Sequence, residues 1–321
     1  MSLKNNSTLE LYQRMVKIRL TEEAIVQNYS DWEMRCPTHL SIGQEAIASG
    51  VCGNLQDCDF VMSTHRCHAH YIAKGGDLNS MIAEIYGKST GCSSGKGGSM
   101  HLIDTSVGFM GSTAIVGNTI PLSVGLGLSI QLKSDNNISC VFFGDGAVEE
   151  GVFYESVNFA ILKSLPVLFI CENNLYSVYS PLNVRQPQGR DIHQMVKAMG
   201  IKTEFGDGND VIEVFEKTSE AVKRIKEGQG PQFLEFSTYR WREHCGPNYD
   251  NDIGYRTEEE YERWKAQDPI DRYKMNHPEI DNELIDKINS EIQNEVSLAF
   301  DFAKKSPFPD KNETYEHLFS D

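Results

Sequence analysis

The sequence predicts a doubly wound α/β protein built on a mostly parallel sheet. Three observations carry that expectation. Residues 138–143 and 166–171 are short apolar runs of the kind that form strands covered on both faces. A helical stretch from about Glu149 to Leu162 joins them, giving a βαβ unit of the right length for a right-handed crossover. The alternation then continues, with helices at 192–199 and 210–227 and strands at 203–205 and 233–238.

The remaining elements follow in chain order. Leu9, Tyr12, Val16, Leu20, Ala24 and Ile25 recur every three to five residues and predict an amphipathic N-terminal helix over 8–30. A shorter helix through Ala46, Ile47 and Val51 follows the turn Ser41-Ile42-Gly43-Gln44-Glu45. The segment GKSTGCSSGKGGSMH (87–101) has no periodicity and reads as a functional or mobile loop. Residues 120–133 read as a buried helix, and REHCGPNYDNDIGYR (242–256) as a second polar loop. Leu284, Ile288, Ile292, Val296, Ala299 and Ala303 mark one face of a long helix ending before Pro307, within a C-terminal extension over 257–321. At a prior of roughly 150 residues per domain, 321 residues allow two domains or one large one. The alternation breaks beyond Arg242, and the chain reads as one α/β core with helical extensions, a single domain over 1–321.

Composition narrows the partners. With 46 acidic against 30 basic residues the formal charge is −16, which opposes attraction to nucleic acid or anionic membranes. No apolar run approaches the ~18–20 residues that cross a bilayer. The eight cysteines include no Cys-x-x-Cys pair, and the N-terminus lacks a secretory h-region, so the expectation is a cytoplasmic protein with reduced thiols.

The chemistry concentrates at two strand ends. Gly144-Asp145-Gly146 follows one predicted strand and Asn173-Asn174 follows the next. In a parallel sheet both ends lie on the same carboxyl edge, so Asp145 and Asn174 become neighbours. A carboxylate and an amide oxygen suit a small hard cation whose other ligands are phosphate oxygens and water. Glycines and a helix N-terminus behind them favour the anion. The pattern is that of a magnesium-diphosphate cradle.

This pairing resembles the thiamine-diphosphate motif. The resemblance extends through His39-Leu40, Gly43-Gln44-Glu45-Ala46, Thr64-His65-Arg66 with His68, Gly95-Lys96-Gly97-Gly98-Ser99-Met100-His101, Ile115-Val116-Gly117 and Tyr255-Arg256-Thr257. Together they are similar to the alpha subunits of two-chain 2-oxoacid dehydrogenase components (pyruvate, branched-chain and acetoin), most of all the acetoin type, over about residues 8–305. The resemblance implies the diphosphate-binding half of a thiamine-diphosphate fold with Mg²⁺. It places Asp145, Asn174 and the Tyr176 carbonyl on the metal. Arg66, Gly144, Gly146, Ala147 and His244 fall to the diphosphate, His65 sits beside the cofactor where many relatives have a tyrosine, and Ala114 and Val116 fall to the thiamine, with Val116 as an apolar wedge. It makes His244 and His101 catalytic candidates, with His39 near the substrate. The glutamate that activates the cofactor would come from a beta subunit, in an α2β2 assembly that passes an acyl unit to a lipoyl acyltransferase. Glu45 would be structural, and the chain alone inactive.

Plainer readings exist for individual residues. His65, His68 and His70 lack an acidic neighbour in sequence and read as solvated or hydrogen-bonding rather than metal-binding. Arg242, Glu243 and Cys245 depart from the family pattern Tyr-Arg-aromatic-His-Gly-His-Ser, and Cys245 removes the serine that mitochondrial forms phosphorylate. An added Arg-Glu pair fits either a polar substrate or a surface salt bridge. The altered loop leaves open a non-oxidative thiamine-dependent carboligase resembling transketolase, and a cofactor-binding scaffold without activity is the further alternative.

Overall fold

The computed structural model describes residues 5–34 and 36–316. Its sheet has six parallel strands in the order β2-β1-β3-β4-β8-β7: β1 (Phe60–Ser63), β2 (Phe109–Ser112), β3 (Ser139–Gly144), β4 (Val167–Asn173), β7 (Lys202–Asp207) and β8 (Gln232–Ser237). Between β4 and β7 a two-residue hairpin pairs β5 (Tyr176–Ser177) with β6 (Ser180–Pro181). The helices are α1 (Asn5–Tyr29), α2 (Glu45–Cys52), α3 (His68–Lys74), α4 (Leu78–Ile85), α5 (Thr119–Lys133), α6 (Gly151–Lys163), α7 (Leu182–Arg185), α8 (Ile192–Lys197), α9 (Val211–Lys226), α10 (Glu258–Lys265), α11 (Pro269–Asn276) and α12 (Asn282–Lys305).

The sheet is covered on both faces, and its side chains show this. Along β3, Cys140 and Phe142 face one hydrophobic cluster while Val141 and Phe143 face the other. In β4 the same alternation sends Leu168 and Ile170 one way and Val167, Phe169 and Cys171 the other. The first cluster is completed by α1, α2, α4, α9 and α12, the second by α5, α6 and α8. The doubly wound expectation therefore holds, with helical extensions at both ends packed onto the first face.

Strands β1, β2, β5 and β6 and helices α3, α4 and α7 were not expected from the sequence, while α10 and α11 fall within the expected C-terminal helical extension. β1 and β2 add an edge beyond β3; α3 lies in a segment without clear apolar periodicity, whereas α4 buries Leu78, Met81, Ile82 and Ile85 at helical spacing, a signal the sequence does carry. α1 is also more than an amphipathic cover. Its Glu22 is fully buried, and both carboxylate oxygens accept from the Ser41 amide, at 2.9 and 2.7 Å. Glu45 is likewise buried, accepting from the Gly43 amide at 3.1 Å and pairing with Arg19. Gly43 has φ +98°, and a Cβ there would stand 2.5 Å from Trp241 Cδ1 and 2.7 Å from the Tyr239 carbonyl. Only glycine fits this turn.

All eight cysteines are free. Among the described residues no helix is long and apolar enough to cross a membrane.

Candidate active site

Strand order decides where a ligand can sit. The chain leaves β1 for β2 on one side and returns to place β3 on the other, so β1 and β3 form a topological switch point whose carboxyl ends diverge into a crevice. Thr64, His65 and Arg66 leave the end of β1, Asp145 leaves β3, Asn174 leaves β4, and the chain beyond β8 carries His244. These segments line a cleft with about 170 Å³ of space open to water.

Eleven of the residues expected at the site line this one cleft: His65, Arg66, Ala114, Val116, Gly144, Asp145, Gly146, Ala147, Asn174, Tyr176 and His244. His39 joins them. His101 does not. It is exposed on the far side of the glycine loop, with Nδ1 at 3.0 Å from the Gly97 carbonyl and its neighbours Cys92, Ser93 and Lys96 around a separate depression.

At the ends of β3 and β4 Asp145 is buried, and burial pushes its carboxyl upward against the opposing pull of Arg185, with which it is ion-paired. Arg185 also reaches Glu149 Oε1 at 2.5 Å. Asn174 Oδ1 accepts from the Tyr176 amide at 3.2 Å, and Asn174 Nδ2 donates to Gln44 Oε1 at 3.2 Å, which fixes the amide orientation. A 3-10 turn, Asp145–Glu149, stands between the strand and α6, so the helix N-terminus lies further back than the motif suggested. Gly146 is the residue that closes the cradle, since a Cβ there would stand 2.8 Å from Ser177 Oγ.

Opposite lies a cluster of rings around Arg66. His39, His65 and His244 have centroids 4.6 to 5.3 Å apart. Arg66 is buried and donates to the Leu40 carbonyl at 2.5 Å, with Nη2 3.5 Å from His244 Nδ1. His39 Nδ1 is buried without a hydrogen-bond partner. Three ring nitrogens within reach of one another resemble a metal triad, but a guanidinium on the same spot repels a cation and attracts an anion. Burial first, then the Arg66 charge, lowers His39 to about 2 and His65 and His244 to about 3. Burial and Arg240 bring Arg66 itself down to about 10. The orphaned nitrogen and the weakly paired guanidinium are what an anion would satisfy.

A pH effect follows from this cluster. The folded histidines lie below the ordinary value of 6.5, so as pH falls from 6.5 toward 3 the unfolded chain takes up protons that the folded chain refuses. Stability is therefore whole above pH 6.5 and declines below it, with a slope of at most about 1.4 kcal/mol per pH unit for each ring, less for His65 and His244, which are partly open to solvent. Urea unfolding at pH 7.5 and pH 5.5 checks this. His39→Gln should flatten the difference, and an unchanged difference would count against the cluster as its source.

Other functional positions escaped sequence reasoning. Gln44, Thr64, Met100, Glu172, Ser177 and Val178 also line the cleft. Gln44 and Thr64 sit inside motifs already singled out, so that signal was available. Glu172 was hidden because it ends an apolar run; its carboxylate lies 3.1 Å from His70 Nε2, and His70 Nδ1 is 2.7 Å from Ser63 Oγ. His68 and His70 are thus buried and hydrogen-bonded, His68 through Ser99 Oγ at 2.8 Å, and neither is solvated. Arg242 and Glu243 turn away from the cleft. Arg242 pairs with Glu23 at 2.9 Å and covers the Tyr249 ring, and Glu243 accepts from the Asn248 amide at 2.9 Å. The loop departure is structural.

Residues 13–312 match the family described as Dehydrogenase E1 component. The chain belongs to the dehydrogenase E1 component family. It is 36% identical to the alpha subunit of acetoin:2,6-dichlorophenolindophenol oxidoreductase of Bacillus subtilis (strain 168), covering 99% of this chain and 95% of that one. It is 33% identical to the pyruvate dehydrogenase E1 component subunit alpha of Porphyra purpurea, over 100% of this chain and 95% of the relative. The corresponding Zymomonas mobilis subunit is 37% identical over 97% and 88% of the two chains. The chain is thus an E1 alpha subunit, an oxidoreductase component of a thiamine-diphosphate-dependent enzyme, and alpha subunits of this family pair with beta subunits.

Proposed function

We propose that this chain holds the diphosphate end of thiamine diphosphate with a Mg²⁺ ion in the cleft at the β1/β3 switch point. With a beta subunit it would decarboxylate a 2-oxoacid, or cleave an α-hydroxyketone such as acetoin, and deliver the acyl unit to a lipoyl acyltransferase. One observation carries the reading: Asp145 and Asn174, at neighbouring strand ends, face Arg66 and three histidines across a single cleft. The donor set fits the group. The Asp145 carboxylate, the Asn174 amide oxygen and the Tyr176 carbonyl are hard oxygen ligands suited to Mg²⁺.

When bound, thiamine diphosphate supplies the electron sink for the carbanion left by decarboxylation or cleavage. The chain's own groups do the rest. Arg66, His65 and His244 bind the diphosphate oxygens, aided by backbone amides from Gly144 through Ala147. Burial and the Arg66 charge hold His65 and His244 low, so both rings meet the anion as neutral hydrogen-bonding groups beside the Arg66 cation. Val116, half exposed in an open loop, presents an apolar surface to the thiamine, and the backbone at Ala114 and Val116 orients it. His244 and His39 stand at the mouth to hold or pass a proton. His101 takes no part. Among the described residues the carboxylates lining the cleft are Asp145 and Glu172, and Glu172 is tied to His70. That lining is in keeping with the family resemblance, under which a beta subunit would supply the activating glutamate in an α2β2 assembly, with this chain acting as one domain.

The carboligase alternative rested on Arg242 and Glu243, which do not reach the cleft. The scaffold alternative would need the cleft's polar residues to be dispersed. The test uses the chain purified with its beta subunit. Reductive acylation of a lipoyl domain from pyruvate or acetoin is expected; consumption of an aldehyde acceptor with no lipoyl acylation would overturn the dehydrogenase reading.

A further inference from the structure

We propose a second divalent-cation site, separate from the cofactor cleft, formed by Asp191, His193 and Glu235. Glu235 lies in β8 with its side chain buried. Its Oε1 accepts from Asn173 Nδ2 at 2.7 Å, and its Oε2 accepts from the His193 amide at 2.9 Å. His193 Nδ1 stands 2.7 Å from Asp191 Oδ1 and 3.4 Å from Glu235 Oε2, so one ring nitrogen and one oxygen of each carboxylate meet within 4.8 Å. Ligand atoms around a tetrahedral zinc-sized ion, each about 2.0–2.2 Å from it, are about 3.3 Å apart. One edge of the triad already has that length. The His193–Asp191 edge, now 2.7 Å, must open by about 0.6 Å, and the third edge, between the two carboxylates, lies within 4.8 Å; both adjustments fall on the exposed Asp191 side.

Charge favours a cation over a plain ion pair. With the ring neutral, two carboxylates face one point, and an imidazolium would balance only one of them. The supporting shell is built. Asn173 orients Glu235, Asp191 Oδ1 accepts from the Gln194 amide at 3.2 Å, and Phe205 stacks on the His193 ring at 5.3 Å. Gln194 Nε2 lies 3.0 Å from His193 Nε2. Turning that amide over puts its oxygen against Nε2–H, which is the arrangement a ring metallated at Nδ1 requires. An open depression with about 460 Å³ of water-accessible space runs along the triad and leaves room for water in the remaining positions. One nitrogen and two carboxylate oxygens, with no thiolate, select a transition-metal dication of the zinc, cobalt or manganese kind over the all-oxygen preference of Mg²⁺. The ion would fasten the start of α8 to β8. It would thereby anchor the far end of the segment 174–191, whose near end carries Asn174 and Tyr176.

The test is a titration of the tag-free, metal-stripped alpha–beta assembly with Co²⁺, without thiamine diphosphate, followed by calorimetry and visible absorption. One Co²⁺ per alpha chain is expected, without a thiolate charge-transfer band. His193→Ala should weaken it at least about tenfold. Asp191→Asn, a change on the exposed rim that folding tolerates, should do the same, and Asp145→Ala should leave it unchanged. Absence of binding, binding that survives both triad changes, or binding lost in Asp145→Ala would each overturn the site.

Discussion

Replacing Asp145 by alanine is expected to lower the magnesium-dependent affinity for thiamine diphosphate at least about a hundredfold, close to 2.7 kcal/mol, in an assembly that stays folded. The carboxylate is the one anionic ligand in the proposed metal set. Without it a dication meets only an amide oxygen and a backbone carbonyl, which do not repay its dehydration. Folding should survive because burial already opposes the charge on Asp145. Its partner Arg185 also keeps Glu149 at 2.5 Å and the Ser180 carbonyl at 2.9 Å. Calorimetry with and without Mg²⁺, alongside a thermal melt, separates the two effects. Unchanged affinity would show the metal assignment to be wrong, whereas Asp145→Asn, keeping one oxygen in place, should fall between wild type and alanine.

What was legible in the sequence follows from burial. β3, β4 and β8 lie in the middle of the sheet, covered on both faces, and so read as apolar runs. β1 and β2 have four residues each; β1 follows Asp57-Cys58-Asp59, and β2 contains Gly111 and Ser112, so neither makes such a run. Missing β1 hid the switch point itself. Asp145 and Asn174 were reachable from strand ends alone, but Arg66 and His65 had to be placed by family resemblance, because the strand that carries them was unseen. α3 was concealed for a related reason. Its buried face is made partly of His68 and His70, polar side chains satisfied by Ser99, Ser63 and Glu172, and no hydrophobic period can report that.

The glycine loop teaches the same lesson at one residue and leads to the second large effect. Residues 87–101 read as mobile, yet the fully buried Glu84 at the end of α4 holds them. Its Oε2 accepts from the amides of Ser93 at 2.8 Å and Gly95 at 2.9 Å, and its Oε1 from those of Gly97 at 2.7 Å and Gly98 at 3.0 Å. A carboxylate is all acceptor, so it can serve four donors at once. Glu84→Gln keeps the shape but turns one oxygen into a donor, leaving two amides facing an NH₂ group. At about 1–3 kcal/mol for each unsatisfied buried donor, the loss is about 2–6 kcal/mol. The damage should reach the active site, because the same loop supplies Met100 to the cleft wall and Ser99 to His68. Urea unfolding should therefore show a lowered midpoint, and limited proteolysis should show new cleavage within 87–101. Glu84→Gln with wild-type stability would mean that the glycine loop is held by its own turns and that the carboxylate is incidental.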